Sequence, residues 1–177
     1  MKLHLGCGSR NFGEDWIHVD AQPYPHVTFS DVFPLPFIPN VADTIYASHL
    51  LQYFNKLEAA NVLANWRKVL KPGGTLRLAV PDFEAMAQLY IEGSPLQIFL
   101  GPLYGQMQMR GQDIYHKMAY DFPRLKMILE GLGYKDVRRY DWRKTEHAEH
   151  DDHSQAYIPH MDKENGTLIS LNVEATA

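Results

Sequence analysis

Along most of this chain hydrophobic and polar residues alternate in short runs, and only in two places do the apolar positions recur at helical spacing. Lys2-Leu3-His4-Leu5, Trp16-Ile17-His18-Val19, Asp43-Thr44-Ile45-Tyr46-Ala47-Ser48-His49 and Thr75-Leu76-Arg77-Leu78-Ala79-Val80 carry the period of two of a strand that buries one face. Val27 to Asp31, Lys135 to Tyr140 and Thr167 to Glu174 complete the predicted strands. Ala59, Val62, Leu63, Trp66, Val69 and Leu70 mark a helix, with Asn55 and Glu58 as a capping pair ahead of it and Lys71-Pro72-Gly73-Gly74 behind it. Leu125, Ile128, Leu129 and Leu132 mark another, opened by Asp121 and closed by Gly131 and Gly133. A helical piece lies near Phe83 to Glu92, a glycine- and methionine-rich segment follows around Gly101 to Gly111, and residues 142–166, rich in His, Asp and Glu, read as loop.

Strands separated by helices imply an α/β fold with a mainly parallel sheet, and the last two strands, joined by a loop, imply an antiparallel finish. At 177 residues the chain is expected to form one domain over 1–177, with 83–120 and 142–166 as lid or cover insertions. The links from Gly8 to Trp16 and from Asp20 to Val27 are shorter than the dozen or so residues of an ordinary parallel crossover, so the early crossover helices are expected to be missing or reduced. Parallel sheets covered by helices on both sides have continuously apolar strands, and these alternate. Leu3, Leu5, Ile17, Val19, Ile45, Ala47, Leu76, Leu78, Ile169, Leu171 and Val173 are expected on one face. Lys2, His4, Trp16, His18, Thr44, Tyr46, Thr75, Arg77, Ser170 and Asn172 are expected on the other. Trp16 and Tyr46 can each bury roughly 150–250 Å², so a cover is required. The candidates are the two insertions, with acids of 142–166 pairing with Arg77 or Lys2, or a second copy in a two-fold homodimer.

Charge and cysteine content narrow the partners. Acidic residues outnumber basic ones, 21 to 17, so no nucleic-acid or anionic membrane partner is expected. The single cysteine, Cys7, rules out an internal disulfide, and its place between two glycines suits a small packed residue better than a nucleophile. The opening apolar stretch is too short for a leader or a membrane span, and a cytoplasmic location is the expectation.

The chemistry concentrates at the ends of the first strands. Gly6 and Gly8 permit a sharp turn and close approach of a ligand, and Asp20, closing the second strand, is placed to accept hydrogen bonds from ribose hydroxyls. The glycines alone are equally compatible with a structural turn. Glu146-His147-Ala148-Glu149-His150-Asp151-Asp152-His153 contains metal-ligand types, but no matching ligand spacing accompanies it, and a hydrogen-bonded loop or substrate lid is the better reading; no metal site is assigned. His116 has the chemistry of a general base, although a structural histidine fits equally well.

Leu5-Gly6-Cys7-Gly8, Trp16-Ile17-His18-Val19-Asp20, the Asp43 to Phe54 run, Leu70-Lys71-Pro72-Gly73-Gly74-Thr75-Leu76 and Leu132-Gly133-Tyr134 together resemble class I, Rossmann-like S-adenosylmethionine-dependent methyltransferases, in particular a short bacterial branch of predicted methyltransferases. The resemblance implies S-adenosylmethionine as cofactor. It places Gly6, Cys7 and Gly8 under the methionine part, Asp20 on the ribose, Asp31 and Val32 at the adenine edge, and Ser48 and His49 along the cofactor. It also places Tyr115 and His116 towards the pocket. The chain departs from the pattern at Arg10, where a third glycine is usual, and in its early helices. A dinucleotide enzyme holds pyrophosphate on the first helix's N-terminus. A phosphate-free cofactor loses less without that helix, which favours S-adenosylmethionine over NAD. The implied activity is methyl transfer to a small-molecule or sugar acceptor. The alternatives are a non-catalytic S-adenosylmethionine-binding protein and a nucleotide or nucleotide-sugar binding module.

Overall fold

In the computed structural model, which describes residues 1–177, the alternating segments become β1 (Lys2–Leu5), β2 (Trp16–Val19), β3 (Val27–Phe29) and β4 (Ala42–Ser48) with no helix between them. Helix α1 (Lys56–Val69) leads directly into β5 (Leu70–Pro81). Next come α2 (Phe83–Ile91), α3 (Gln97–Tyr104), the hairpin β6 (Met107–Met109) and β7 (Gln112–Ile114), α4 (Phe122–Gly131) and β8 (Lys135–Arg139). A small two-stranded pair, β9 (Tyr157–Ile158) and β10 (Thr167–Leu168), precedes the last strand, β11 (Ser170–Thr176). The main sheet has seven strands in the order β3-β2-β1-β4-β5-β11-β8. β1 to β5 are mutually parallel, and β11 enters antiparallel between β5 and β8.

Register puts the apolar positions in rows. Leu3 lies beside Ile17 and Ile45, Ile45 beside Leu76, and Leu78 beside Val173. Onto this face pack Val62, Leu63 and Trp66 of α1 and Leu125 and Leu129 of α4, all fully buried. Asn55 begins α1 by accepting from the Leu57 and Glu58 amides while Glu58 accepts from the Asn55 amide, so the predicted reciprocal cap is formed. The Trp66 indole donates to the Val32 carbonyl at 2.8 Å, which ties the loop after β3 to the helix.

The opposite row runs Trp16, Lys2, Thr44 along one level and His18, His4, Tyr46, Arg77 along the next. Its cover comes from residues 142–155, with Phe12 from the β1–β2 link. Phe12 stacks between His4 and His147, at ring separations of 4.0 and 4.8 Å. Glu146 pairs with Arg77 at 2.9 Å and with Lys2 at 3.7 Å. The Tyr46 hydroxyl donates to Asp152 at 2.5 Å, and Asn172 donates to the Ser154 carbonyl at 2.8 Å. Trp16 is left 6 % exposed and Tyr46 not at all.

The structure corrects two local expectations and assigns a third stretch that the pattern left open. The predicted strand Thr167 to Glu174 is two strands, broken at Ile169, whose amide goes to Ala156 and whose carbonyl accepts from Asp82. Ile169 therefore leaves the sheet face and packs against Met86 and Phe99. The Gly101 to Gly111 stretch holds the end of α3 and most of a hairpin whose turn, Arg110-Gly111, has both residues at positive φ. Residues 142–166, expected to be irregular, contain two short 3-10 turns and β9.

Two stability measurements test this face. Tyr46→Phe leaves the buried Asp152 carboxylate without its hydroxyl donor, and should cost about 1.5–3 kcal/mol, read as a lower urea midpoint at unchanged slope. His147 is held down at about 4 by burial, and burial also lowers His4 and His18. Below the ordinary histidine value of about 6.5 the unfolded chain binds protons that the fold excludes, so stability must rise with pH between about 4 and 6.5. The urea midpoint should climb over that window, less steeply in His147→Phe; equal slopes for the two proteins would refute the assignment.

Candidate active site

The turn after β1 is fastened to the end of β2. The Gly6 amide donates to the Val19 carbonyl at 2.7 Å, and the Gly8 amide to Asp20 Oδ2 at 2.7 Å. Gly6 and Gly8 both have positive φ, 63° and 56°, which side chains rarely adopt, and a Cβ on Gly6 would press on Leu50 at 3.1 Å. Asp20 Oδ1 accepts from the Gln22 amide at 2.8 Å. Cys7 is buried between them, and burial raises its thiol to about 12, so it packs and does not react.

Beyond the carboxyl ends of β1, β2 and β4 lies a cleft of two adjoining lobes of about 500 and 520 Å³. Gly6, Asp20, Gln22, His49, Tyr53 and Met107 line both lobes and so mark their junction. One lobe is bounded by Asp31, Val32, Leu50, Phe54, Met109 and Ile114. The other is bounded by Cys7, Gly8, Ser48, Gln52, His116 and His153, among others, and its walls are more polar. In it the Ser48 hydroxyl and the Gln52 side-chain carbonyl are buried and have no partner in the protein. The hairpin closes over the first lobe: Gln22 donates to the Gln108 carbonyl at 3.1 Å, and Arg110 pairs with Asp31 at 2.8 Å. Arg10 donates to the Asp151 carbonyl at 3.0 Å and so ties the glycine turn to the cover of the second face.

His116 sits at the far side of the polar lobe. Its Nδ1 lies 2.9 Å from the Pro102 carbonyl, which can only accept, so Nδ1 carries the proton and Nε2 is left facing the Gln52 amide at 3.4 Å. Burial lowers its pKa, as it does for His49 and His153, and all three are neutral at pH 7.

Every candidate residue read from the sequence, Gly6, Cys7, Gly8, Asp20, Asp31, Val32, Ser48, His49 and His116, lines one lobe or the other. Asp31 does so at the rim, with its carboxylate taken by Arg110. Tyr115 lines neither lobe and is exposed. The sequence reading missed Gln52, Tyr53, Met107 and His153. His153 lay within a histidine-rich run that had been noticed, but nothing in its spacing distinguished it from its neighbours. Gly105→Ala checks the polar lobe: its φ is +47° and the new Cβ would fall 2.0 Å from His116 Nε2. The variant should lose about 1–3 kcal/mol and shift the His116 ring resonances; a resonance that stays put would mean that the ring is not seated there.

Residues 15–78 match the family model described as a methyltransferase domain. No curated protein matches the sequence. Among solved structures, a SAM-dependent methyltransferase from Archaeoglobus fulgidus is similar over 99 % of this chain and 85 % of its own, at TM-score 0.58 and 16 % identity. The 1,6-didemethyltoxoflavin-N1-methyltransferase of Burkholderia thailandensis is similar over 99 % and 69 %, at 0.55 and 16 %. A putative methyltransferase of Haloferax volcanii, solved with the Trm112 methyltransferase activator, is similar over 99 % and 81 %, at 0.55 and 13 %. The fold is that of these methyltransferases over the whole length of the chain, and residues 15–78 carry the sequence pattern of a methyltransferase domain.

Proposed function

We propose that the cleft binds S-adenosylmethionine across its two lobes and that the domain transfers the methyl group to a small-molecule or sugar acceptor. The observation that carries the reading is Asp20. A carboxylate has about four lone-pair positions; backbone amides take one on each oxygen, and the remainder face the junction of the lobes, where a ribose diol fits. The apolar lobe, with Val32, Leu50 and Phe54, suits adenine, with Asp31 and Arg110 at its rim. The polar lobe suits the amino-acid part: Gly6 and Gly8 line it without side chains of their own, and the unpartnered Ser48 hydroxyl and Gln52 carbonyl offer it hydrogen bonds. When bound, the cofactor supplies an electrophilic methyl on a positively charged sulfur. The chain's own task is to align an acceptor with that methyl and exclude water. The acceptor enters over α3 and His116, whose neighbours Gly101, Pro102 and Gly105 form the wall of the polar lobe. That the Burkholderia neighbour holds 1,6-didemethyltoxoflavin and S-adenosylhomocysteine supports an acceptor of small-molecule size.

Calorimetry with S-adenosylmethionine, ATP and NAD tests the cofactor assignment. Only the first should bind, and Asp20→Ala should weaken it at least tenfold, since charge-assisted hydrogen bonds are worth about 1.5–3 kcal/mol each. Undiminished affinity in a folded Asp20→Ala protein, or preferential binding of ATP, would overturn it. Release of S-adenosylhomocysteine on adding acceptors then separates an enzyme from a non-catalytic binder.

A further inference from the structure

The junction of the two lobes is where a methyl group carried between a nucleoside and an amino-acid part must lie, so a group acting on the acceptor's proton has to reach it. Of the residues that line both lobes, Gly6, Gln22, Tyr53 and Met107 have no base of suitable strength, and Asp20 is committed to the turn. His49 remains. Its backbone is in the left-handed region, φ +49°, uncommon outside glycine and held by its amide's bond to the Ala79 carbonyl at 2.8 Å.

The hydrogen bonds behind His49 have a fixed direction. The Ser154 carbonyl can only accept, so Asn172 presents its amide nitrogen there, at 2.8 Å, and its carbonyl oxygen to Ser170. Ser170 spends its one proton on that oxygen, at 3.0 Å. Its own oxygen then accepts from His49 Nε2 at 3.1 Å. Nε2 therefore carries the proton, and Nδ1 is an unprotonated nitrogen with no partner in the protein. Ser170 and Asn172 are buried, at 2 % and 3 % exposure, so water does not compete for these bonds.

Resting on the cofactor reading above, we propose that His49 Nδ1 is the general base that takes the proton of a hydroxyl acceptor, and that Ser170 and Asn172 are positioning residues that set its tautomer. The acceptor heteroatom forms its bond to the methyl carbon, the carbon–sulfur electron pair stays on sulfur, and the acceptor's proton goes to Nδ1. The cleft holds one positive charge on sulfur before the step and one on the imidazole after it. The groups facing His49 are His153, stacked on it at 5.1 Å, His116 and Arg10, which together with burial keep it neutral beforehand. His116 lines only the polar lobe, and its Nε2 already faces an amide donor.

The test is nitrogen-15 spectroscopy of the histidine rings in the full chain at pH 7, with and without S-adenosylhomocysteine, the binding of which is measured alongside by calorimetry. His49 should show Nδ1 at the unprotonated and Nε2 at the protonated position. In Ser170→Ala the two should move towards each other, and S-adenosylhomocysteine should shift His49 but not the exposed His160. A wild-type His49 with Nδ1 protonated, or a ligand shift confined to His116, overturns the base assignment while the measured binding leaves the cofactor reading intact. Absence of binding to the wild-type chain overturns the cofactor reading, and the proposal with it, whatever the tautomer. Failure of Ser170→Ala to fold changes nothing, because the wild-type spectrum alone decides the tautomer.

Discussion

The hydrogen bond from the Tyr46 hydroxyl to Asp152 joins the sheet to a segment that serves both its second face and the cleft. On the sheet side it anchors the segment that replaces the absent early helices. On the cleft side, Asp152 caps the short turn His153–Gln155 by accepting from the Ser154 amide at 2.8 Å. That turn carries His153 onto the ring of His49 and aims the Ser154 carbonyl at Asn172. One buried carboxylate thus sets both the cover of the second face and one wall of the cleft. A charge removed from water is costly unless its lone pairs are occupied, and here each oxygen has a donor.

The shortness of the early links has a wider consequence. Without a helix after β1 there is no row of free amides at a helix N-terminus to hold an anion. The amides of Gly6 and Gly8 are instead spent on Val19 and Asp20, inside the protein. The turn has become a rigid floor that offers backbone surface and a carboxylate, which is suited to a ligand recognised through hydroxyls and positive charge. Arg10, where a glycine would continue the turn, reaches away to Asp151 and binds floor to cover.

Much of this was legible because a sheet with one bare face advertises itself. Alternation at Lys2-Leu3-His4-Leu5 and at Thr75 to Val80 gave the core row and the polar row in register, and the size of Trp16 and Tyr46 demanded a cover with acids for Arg77 and Lys2, which Glu146 provides. Phe12, which wedges between His4 and His147, carried no such signal, since one aromatic in a polar link has no period. The hairpin over the apolar lobe was hidden for a different reason: its turn is Arg110-Gly111, without the asparagine or aspartate that usually marks such turns. The break at Ile169 was invisible because Thr167 to Glu174 has unbroken strand chemistry, and only the competing partners Ala156 and Asp82 divert the backbone.

The histidines show how the same residue type is steered to different ends by burial and by what its second nitrogen touches. There are nine, and burial lowers the pKa of six of them: His4, His18, His49, His116, His147 and His153. On the second face a neutral imidazole is chiefly a flat ring that packs on Phe12, Trp16 and Tyr46 while His18 still accepts the Phe12 amide at 2.9 Å. At the cleft the obligate acceptors are backbone carbonyls, that of Pro102 for His116 and that of Ser154, two side chains away, for His49. Each carbonyl decides which nitrogen keeps the proton, and opposite nitrogens are freed: Nε2 on His116 and Nδ1 on His49. The Nε2 freed on His116 faces the Gln52 amide at 3.4 Å, whereas the Nδ1 freed on His49 meets no donor and belongs to a ring that borders both lobes. The unpartnered imidazole nitrogen thus belongs to a residue at the junction of the lobes, which the Asp20 carboxylate also borders.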